Sequence, residues 1–211
     1  GSILGPLLFL LYVNDVSSVS DKLFAVMFAD DTNMFLSGQN LETIISTMNH
    51  ELEKIKIWLE VNKLSLNIDK THYIIFTRRN VPNCHSNIMI NNVSISRVSN
   101  TKFLGVIIDS KLTWKDHINS VRNKVAKGIG VINKAKDVLN KKTLANLYNT
   151  FVKPYLAYCN IVWGNASPSS LNSLLKLQKR IVRIIEGVQY RAHTENLFTA
   201  LKTLDVYKLN V

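Results

Sequence analysis

Residues 23–37 read Leu23-Phe24-Ala25-Val26-Met27-Phe28-Ala29-Asp30-Asp31-Thr32-Asn33-Met34-Phe35-Leu36-Ser37. Two apolar runs flank an Asp-Asp pair. Aspartate is a poor strand residue and a good turn residue, so the pattern predicts two short strands around a tight turn at Asp30-Asp31. Adjacent carboxylates repel unless a cation or water separates them. Mg²⁺ takes carboxylate oxygens and shares its remaining positions with substrate phosphates. The pair, held between apolar strands, is therefore a candidate metal site for phosphoryl transfer. The competing reading is a solvated acidic turn.

Downstream, Leu41, Ile44, Ile45, Met48, Leu52, Ile55 and Leu59 recur at three and four, which predicts a helix with one apolar stripe. Asn40 is its expected N-cap. Glu42, Glu51, Glu53, Lys54 and Lys56 are expected at polar positions around it. A strand is expected over 71–76, a polar loop with Pro82 over 80–87, and a hairpin over 88–95 turning at Asn91-Asn92. Another strand is expected over 103–108. Upstream, the apolar run from Ile3 to Val13 contains Gly5-Pro6. It is expected to be a buried helix with Pro6 in its first turn.

Beyond residue 110 the period becomes helical throughout. Ile118, Val121, Val125, Ile132 and Leu139 share one face. Leu144, Leu147, Phe151 and Leu156 predict a helix bent near Pro154. Leu171, Leu174, Leu175, Ile181, Val182 and Ile185 predict another, started by Pro168. The expected fold class is α+β, with an α+β unit at 1–110 and an all-helical unit at 111–211.

The 211 residues are 46% hydrophobic and 19% charged, a globular mix that argues against wholesale disorder. Two cysteines, Cys84 and Cys159, make neither a disulfide framework nor a zinc site, which suggests a reducing compartment. No stretch reads as transmembrane. The net charge is +11 and is unevenly placed. Residues 1–70 hold 5 basic and 9 acidic side chains, whereas residues 71–211 hold 21 and 6. A lopsided basic half points to a polyanion, nucleic acid before a membrane surface.

Lys176, Lys179, Arg180 and Arg183 fall at i, i+3, i+4 and i+7, an arc opposite Leu174, Leu177, Ile181 and Ile185. Such a stripe can follow a phosphate backbone, or can be a solvated face. Lys124, Lys127 and Lys134 form a smaller arc on an earlier helix. Trp58, Trp114 and Trp163 could stack bases, but each sits in an apolar neighbourhood and is expected in the core. The five histidines show no metal-ligand spacing and receive no role.

Phe28-Ala29-Asp30-Asp31 resembles the Tyr/Phe-Ala-Asp-Asp box of reverse transcriptases. Gly1-Ser2-Ile3-Leu4-Gly5-Pro6-Leu7-Leu8-Phe9 and Leu11-Tyr12-Val13-Asn14-Asp15 are similar to the segment preceding that box. Lys63-Leu64-Ser65-Leu66-Asn67-Ile68-Asp69-Lys70-Thr71 resembles the next block, and Phe103-Leu104-Gly105-Val106-Ile107-Ile108-Asp109 the primer grip. Tyr155-Leu156-Ala157-Tyr158-Cys159 and Val162-Trp163-Gly164 resemble the thumb-like region of LINE-type, jockey-like non-LTR retrotransposon enzymes. The blocks come in order and span nearly the whole chain.

The resemblance implies RNA-directed DNA synthesis on an RNA template with a DNA primer and deoxynucleotides. It implies Mg²⁺ as cofactor, no membrane, and an intracellular setting, nucleus or cytoplasm; no oligomeric state is assigned. Asp30 matches a direct metal ligand and Asp31 a more peripheral carboxylate. Lys70 matches a basic group near the leaving pyrophosphate, or is a turn lysine in water. Gly1, Phe28 and Gly105 match positions near nucleotide or primer, with structural roles as the alternative. In the family a further metal-binding Asp and the fingers lie upstream of the block that opens this sequence. The expectation is a partial palm followed by a thumb-like unit, inactive alone. The alternative is a non-catalytic nucleic-acid-binding remnant.

Overall fold

The computed structural model describes residues 3–77 and 87–210. Gly1, Cys84 and all of the 80–87 loop but its last residue lie outside them. The described chain is α+β and divides into two compact units, Gly1–Ser99 and Asn100–Val211.

In the first unit, helix α1 (Leu4–Val13) carries Pro6 in its first turn, where a missing N–H leaves no helical bond unmade. The helix forms where the sequence predicts it, but it is not buried. Of its residues only Val13 is buried, while Leu7, Leu8, Leu10 and Leu11 stay more than half exposed. Apolar composition alone does not create a partner surface. The Tyr12 hydroxyl donates to the Asn62 carbonyl.

Strands β1 (Phe24–Phe28) and β2 (Asp31–Phe35) form an antiparallel hairpin. Helix α2 (Leu41–Val61) follows, and the Asn40 side chain caps it by accepting from the N–H groups of Glu42 and Thr43. One end of the α2 stripe, at Ile55, packs with Val16, Leu23, Met27 and Met34 from the hairpin region. The other end, at Ile45, packs with Ile88, Ile90 and Ile95.

Glu51 departs from its expected polar position. Its side chain is inaccessible to solvent, with Oε2 2.8 Å from both Ser20 Oγ and Lys54 Nζ. Lys22 Nζ stands 3.9 Å from Oε1. The hydrogen bonds from Lys54 and then Ser20 hold the Glu51 carboxyl below its ordinary pKa, against the opposing effect of burial.

Among the described residues the strands make four two-stranded sheets rather than one. The expected strand over 71–76 reduces to β3 (His72–Tyr73), paired in parallel with β6 (Ser96–Arg97). The 88–95 hairpin is present as β4 (Met89–Ile90) and β5 (Val93–Ser94). Its turn residues Asn91 and Asn92 both take left-handed φ, 53° and 59°, the pattern that matches the strand twist.

The second unit opens with another hairpin, β7 (Asn100–Phe103) and β8 (Val106–Asp109). The single strand expected over 103–108 is thus a turn and half a hairpin. Leu104 (φ 44°) and Gly105 (φ 86°) reverse the chain, and leucine at the first turn position hides the usual Asn-Gly signal. This hairpin packs against the helices, so the units divide at Ser99/Asn100 rather than near residue 110.

Helix α3 (Lys115–Ala135) starts where the Asp109 carboxylate accepts from the N–H groups of Lys111, Thr113 and Trp114. Burial raises the Asp109 pKa, but these N–H bonds outweigh it and hold the group charged. The helix expected to bend at Pro154 is instead broken at Val152 into α4 (Lys141–Phe151) and α5 (Lys153–Ala157), with Pro154 in the first turn of α5.

After α6 (Asn160–Trp163), helix α7 (Pro168–Glu186) is capped by Ser167 and closed by Gly187 in the left-handed region (φ 68°). Helix α8 (Glu195–Ala200) completes the unit. Its core gathers Val125, Ile132, Val152, Leu156, Trp163, Leu174 and Ile181, all essentially inaccessible. Trp163 lies in the core as expected, and Trp114 is half-buried at its margin, while Trp58 is half-buried against the cluster of Val16, Leu23 and Ile55 in the first unit.

Candidate functional site

The hairpin register places Ala25, Met27, Thr32 and Met34 on one face and Phe24, Phe28, Asp31 and Phe35 on the other. Met27 and Met34 pack towards Ile55 and Val16, which fixes the first face inward. The second face is open. Phe28 is 60% exposed, so it is not a core residue, and at the other end of the same face the Phe24 and Phe35 rings lie 6.3 Å apart.

The two-residue turn is Ala29-Asp30, one residue earlier than the sequence predicts. Asp31 already pairs with Phe28 as the first residue of β2. Ala29 takes φ 53°, a left-handed conformation that disfavours a Cβ and costs on the order of 1 kcal/mol. The consequence is a fixed tip: Asp30 projects from the turn and Asp31 from the open face, and both are exposed.

Two hard carboxylates are a partial donor set of the kind Mg²⁺ accepts when phosphates and water supply the rest. Among the described residues no group of three His, Cys, Asp or Glu side chains converges to complete a metal site within the chain. The donor chemistry therefore fits Mg²⁺ at an open site, not in a closed protein cage.

Lys70 ends a short 3-10 turn over Ile68–Lys70, where the Asn67 side chain accepts its N–H. Its side chain is exposed, and among the described residues no ion pair joins it to Asp30 or Asp31. Gly105 sits in the β7–β8 turn with the Tyr158 ring against it: a Cβ there would lie 3.3 Å from Tyr158 Cε1.

The basic arc of α7 is present but not uniform. Lys176 and Arg180 are exposed, while Lys179 and Arg183 are half-buried. The Arg183 guanidinium donates to the carbonyls of Ala192 (2.9 Å) and Lys179 (3.3 Å). On α3, Lys124, Lys127 and Lys134 are all exposed, and Lys124 Nζ lies 5.2 Å from the Tyr155 ring centroid. The unit 100–211 carries 18 basic and 6 acidic side chains, a net +12.

Sequence reasoning missed one constellation. His117 Nδ1 accepts the Ile107 N–H at 3.2 Å, and its ring lies 5.6 Å from that of Trp163. Burial, and then the nearby Lys124 charge, lower the His117 pKa, so the ring is a neutral acceptor. No spacing rule marks these residues, because they meet only through the tertiary fold.

Residues 1–108 match the family model described as reverse transcriptase (RNA-dependent DNA polymerase). The chain is 27% identical over 213 residues to an RNA-directed DNA polymerase from mobile element jockey of Drosophila melanogaster, covering 96% of this chain and 23% of the relative. It is 26% identical over 212 residues to the jockey enzyme of Drosophila funebris, with the same coverage. It is 25% identical over 217 residues to a probable RNA-directed DNA polymerase from transposon X-element of Drosophila melanogaster, covering 98% and 23%. No solved structure matches. The chain thus spans about a quarter of the length of these relatives. With the box hairpin inside the matched region, the chain belongs to the reverse transcriptase (RNA-dependent DNA polymerase) family.

Proposed function

We propose that this chain supplies the box hairpin and a nucleic-acid-gripping helical unit to an RNA-directed DNA polymerase of a non-LTR retrotransposon. The observation that carries the reading is the hairpin itself. Asp30 and Asp31 stand exposed at a fixed tip, and one face of the hairpin is anchored in the core. In this reading the first unit acts as a partial palm and the second as a thumb-like region.

Asp30 and Asp31 would hold Mg²⁺, with Asp30 as the direct ligand. The ion would supply Lewis acidity for nucleotidyl transfer between a primer 3′-hydroxyl and a deoxynucleotide triphosphate. Phe28, on the same face as Asp31, offers an apolar surface to the primer end. Lys70 contributes positive charge near the departing pyrophosphate. The exposed Lys176, Arg180, Lys124, Lys127 and Lys134 meet backbone phosphates, and the β7–β8 turn that carries Gly105 lies near the primer.

The test is primer extension on an RNA template by the longer protein that contains this chain. Asp30→Asn is expected to reduce extension to background while template binding persists. Undiminished extension by that variant overturns the catalytic assignment. Binding without extension by the wild type favours the second reading, a non-catalytic nucleic-acid-binding remnant, which the +12 charge of the second unit supports.

A further inference from the structure

The α7 arc is not four equivalent free cations, because Arg183 is already engaged. Its Nε and Nη1 groups donate to Ala192 and Lys179 carbonyls, and its guanidinium lies 5.7 Å from the centroid of the Tyr190 ring. That distance is within cation–π range. The segment carrying Tyr190 is well tied. Gly187 caps α7, the Val188 N–H returns to the Arg183 carbonyl, and the Ala192 N–H closes a turn onto Gln189. Tyr190 sits inside that turn and is nonetheless 79% exposed.

A lone exposed aromatic on a protein surface needs no explanation. This one is backed by a fixed cation, lies on a hydrogen-bonded turn and stands beside a basic helix face. Proteins that hold single strands combine those elements: cations along the backbone and an aromatic face on which a base stacks.

We infer that Tyr190 is a base-stacking residue, held by Arg183 and open to an unpaired base of a single-stranded nucleic acid whose phosphates lie along Lys176 and Arg180. Arg183 is then a positioning residue and not a phosphate contact. The inference rests on the nucleic-acid reading above. It adds a ligand class, the unpaired base, that charge alone does not specify.

The experiment measures binding of the whole chain to a labelled oligo-dT single strand and to a blunt duplex across a salt series. Tyr190→Ala is expected to weaken single-strand binding by about 5- to 150-fold, the range of one lost base stack, without changing the salt slope or duplex binding. Tyr190→Phe keeps the ring and should bind as the wild type does. Arg183→Gln should reproduce most of the single-strand loss, and combining it with Tyr190→Ala should add little further. Lys176→Gln with Arg180→Gln should instead flatten the duplex slope by up to about 1.8.

The inference falls if Tyr190→Ala binds the single strand like the wild type, or loses equally on both probes. In either case salt-dependent binding by the wild type leaves the nucleic-acid reading standing. If the wild type binds neither probe, both fall together.

Discussion

The Tyr158 hydroxyl donates to the Leu104 carbonyl at 2.6 Å, joining the α5–α6 corner to the tip of the β7–β8 hairpin. The same corner grips the hairpin a second time. Trp163 Nε1 donates to the Tyr158 carbonyl, the Trp163 ring meets His117, and His117 accepts from Ile107 on β8. The turn is thus held from both ends of one chain of contacts. A free two-stranded hairpin is only marginally stable, so the β7–β8 turn depends on this support.

Removing either half of this contact should cost stability. Tyr158→Phe deletes one hydrogen bond and should destabilise the second unit by about 0.5–1.5 kcal/mol. Gly105→Ala places a Cβ at φ 86° and against the Tyr158 ring, and should cost about 1–3 kcal/mol. Urea unfolding measures both. An alanine variant at least as stable as the wild type would show that the turn is not held as described.

Two glycines of α3 should respond with opposite signs. A Cβ on Gly130 meets nothing within 4 Å, so Gly130→Ala should stabilise by about 0.5–1 kcal/mol through helix propensity. A Cβ on Gly128 would lie 2.7 Å from Val152 Cγ2 and 3.0 Å from the Phe151 carbonyl oxygen. Overpacking of that kind costs about 1–3 kcal/mol, enough to reverse the gain. Thermal unfolding of the two variants decides it, and shifts of the same sign refute the packing account.

His117 should make stability depend on pH. Its folded pKa lies below the ordinary value of 6.5, chiefly because it is buried. Well above pH 6.5 the ring is neutral in both states and its hydrogen bond is intact. As pH falls below that value the unfolded chain takes up a proton that the folded one resists, so stability declines. His117→Asn, which keeps an acceptor but does not titrate, should show a shallower decline between pH 7 and 5. Urea midpoints at several pH values give the comparison. Parallel profiles for the two proteins would remove His117 as the cause.

Much of this molecule was legible in its sequence because it is decided within a few residues. Asn40 caps the helix it precedes, Pro168 opens α7, and Asn91-Asn92 turns a hairpin. Each depends on the conformational preference of a short segment. The ordered blocks around Asp30-Asp31 likewise carry the family identity before any coordinates are known, and the α+β class follows from the change of period near residue 110.

What the sequence left undecided is burial and pairing, which depend on distant partners. Glu51 looks like its neighbour Glu53, yet it is sealed beneath Ser20, 31 residues away. The apolar run of α1 reads as core and is exposed. Phe103 to Ile108 reads as one strand, yet the chain reverses at Leu104-Gly105, where the Tyr158 hydroxyl meets the Leu104 carbonyl. Gly128 and Gly130 lie two residues apart in one helix, and only the approach of Phe151 and Val152 separates them. Local propensity fixes which elements form. Whether a given side chain meets water or another segment is settled only when the remote segments have packed.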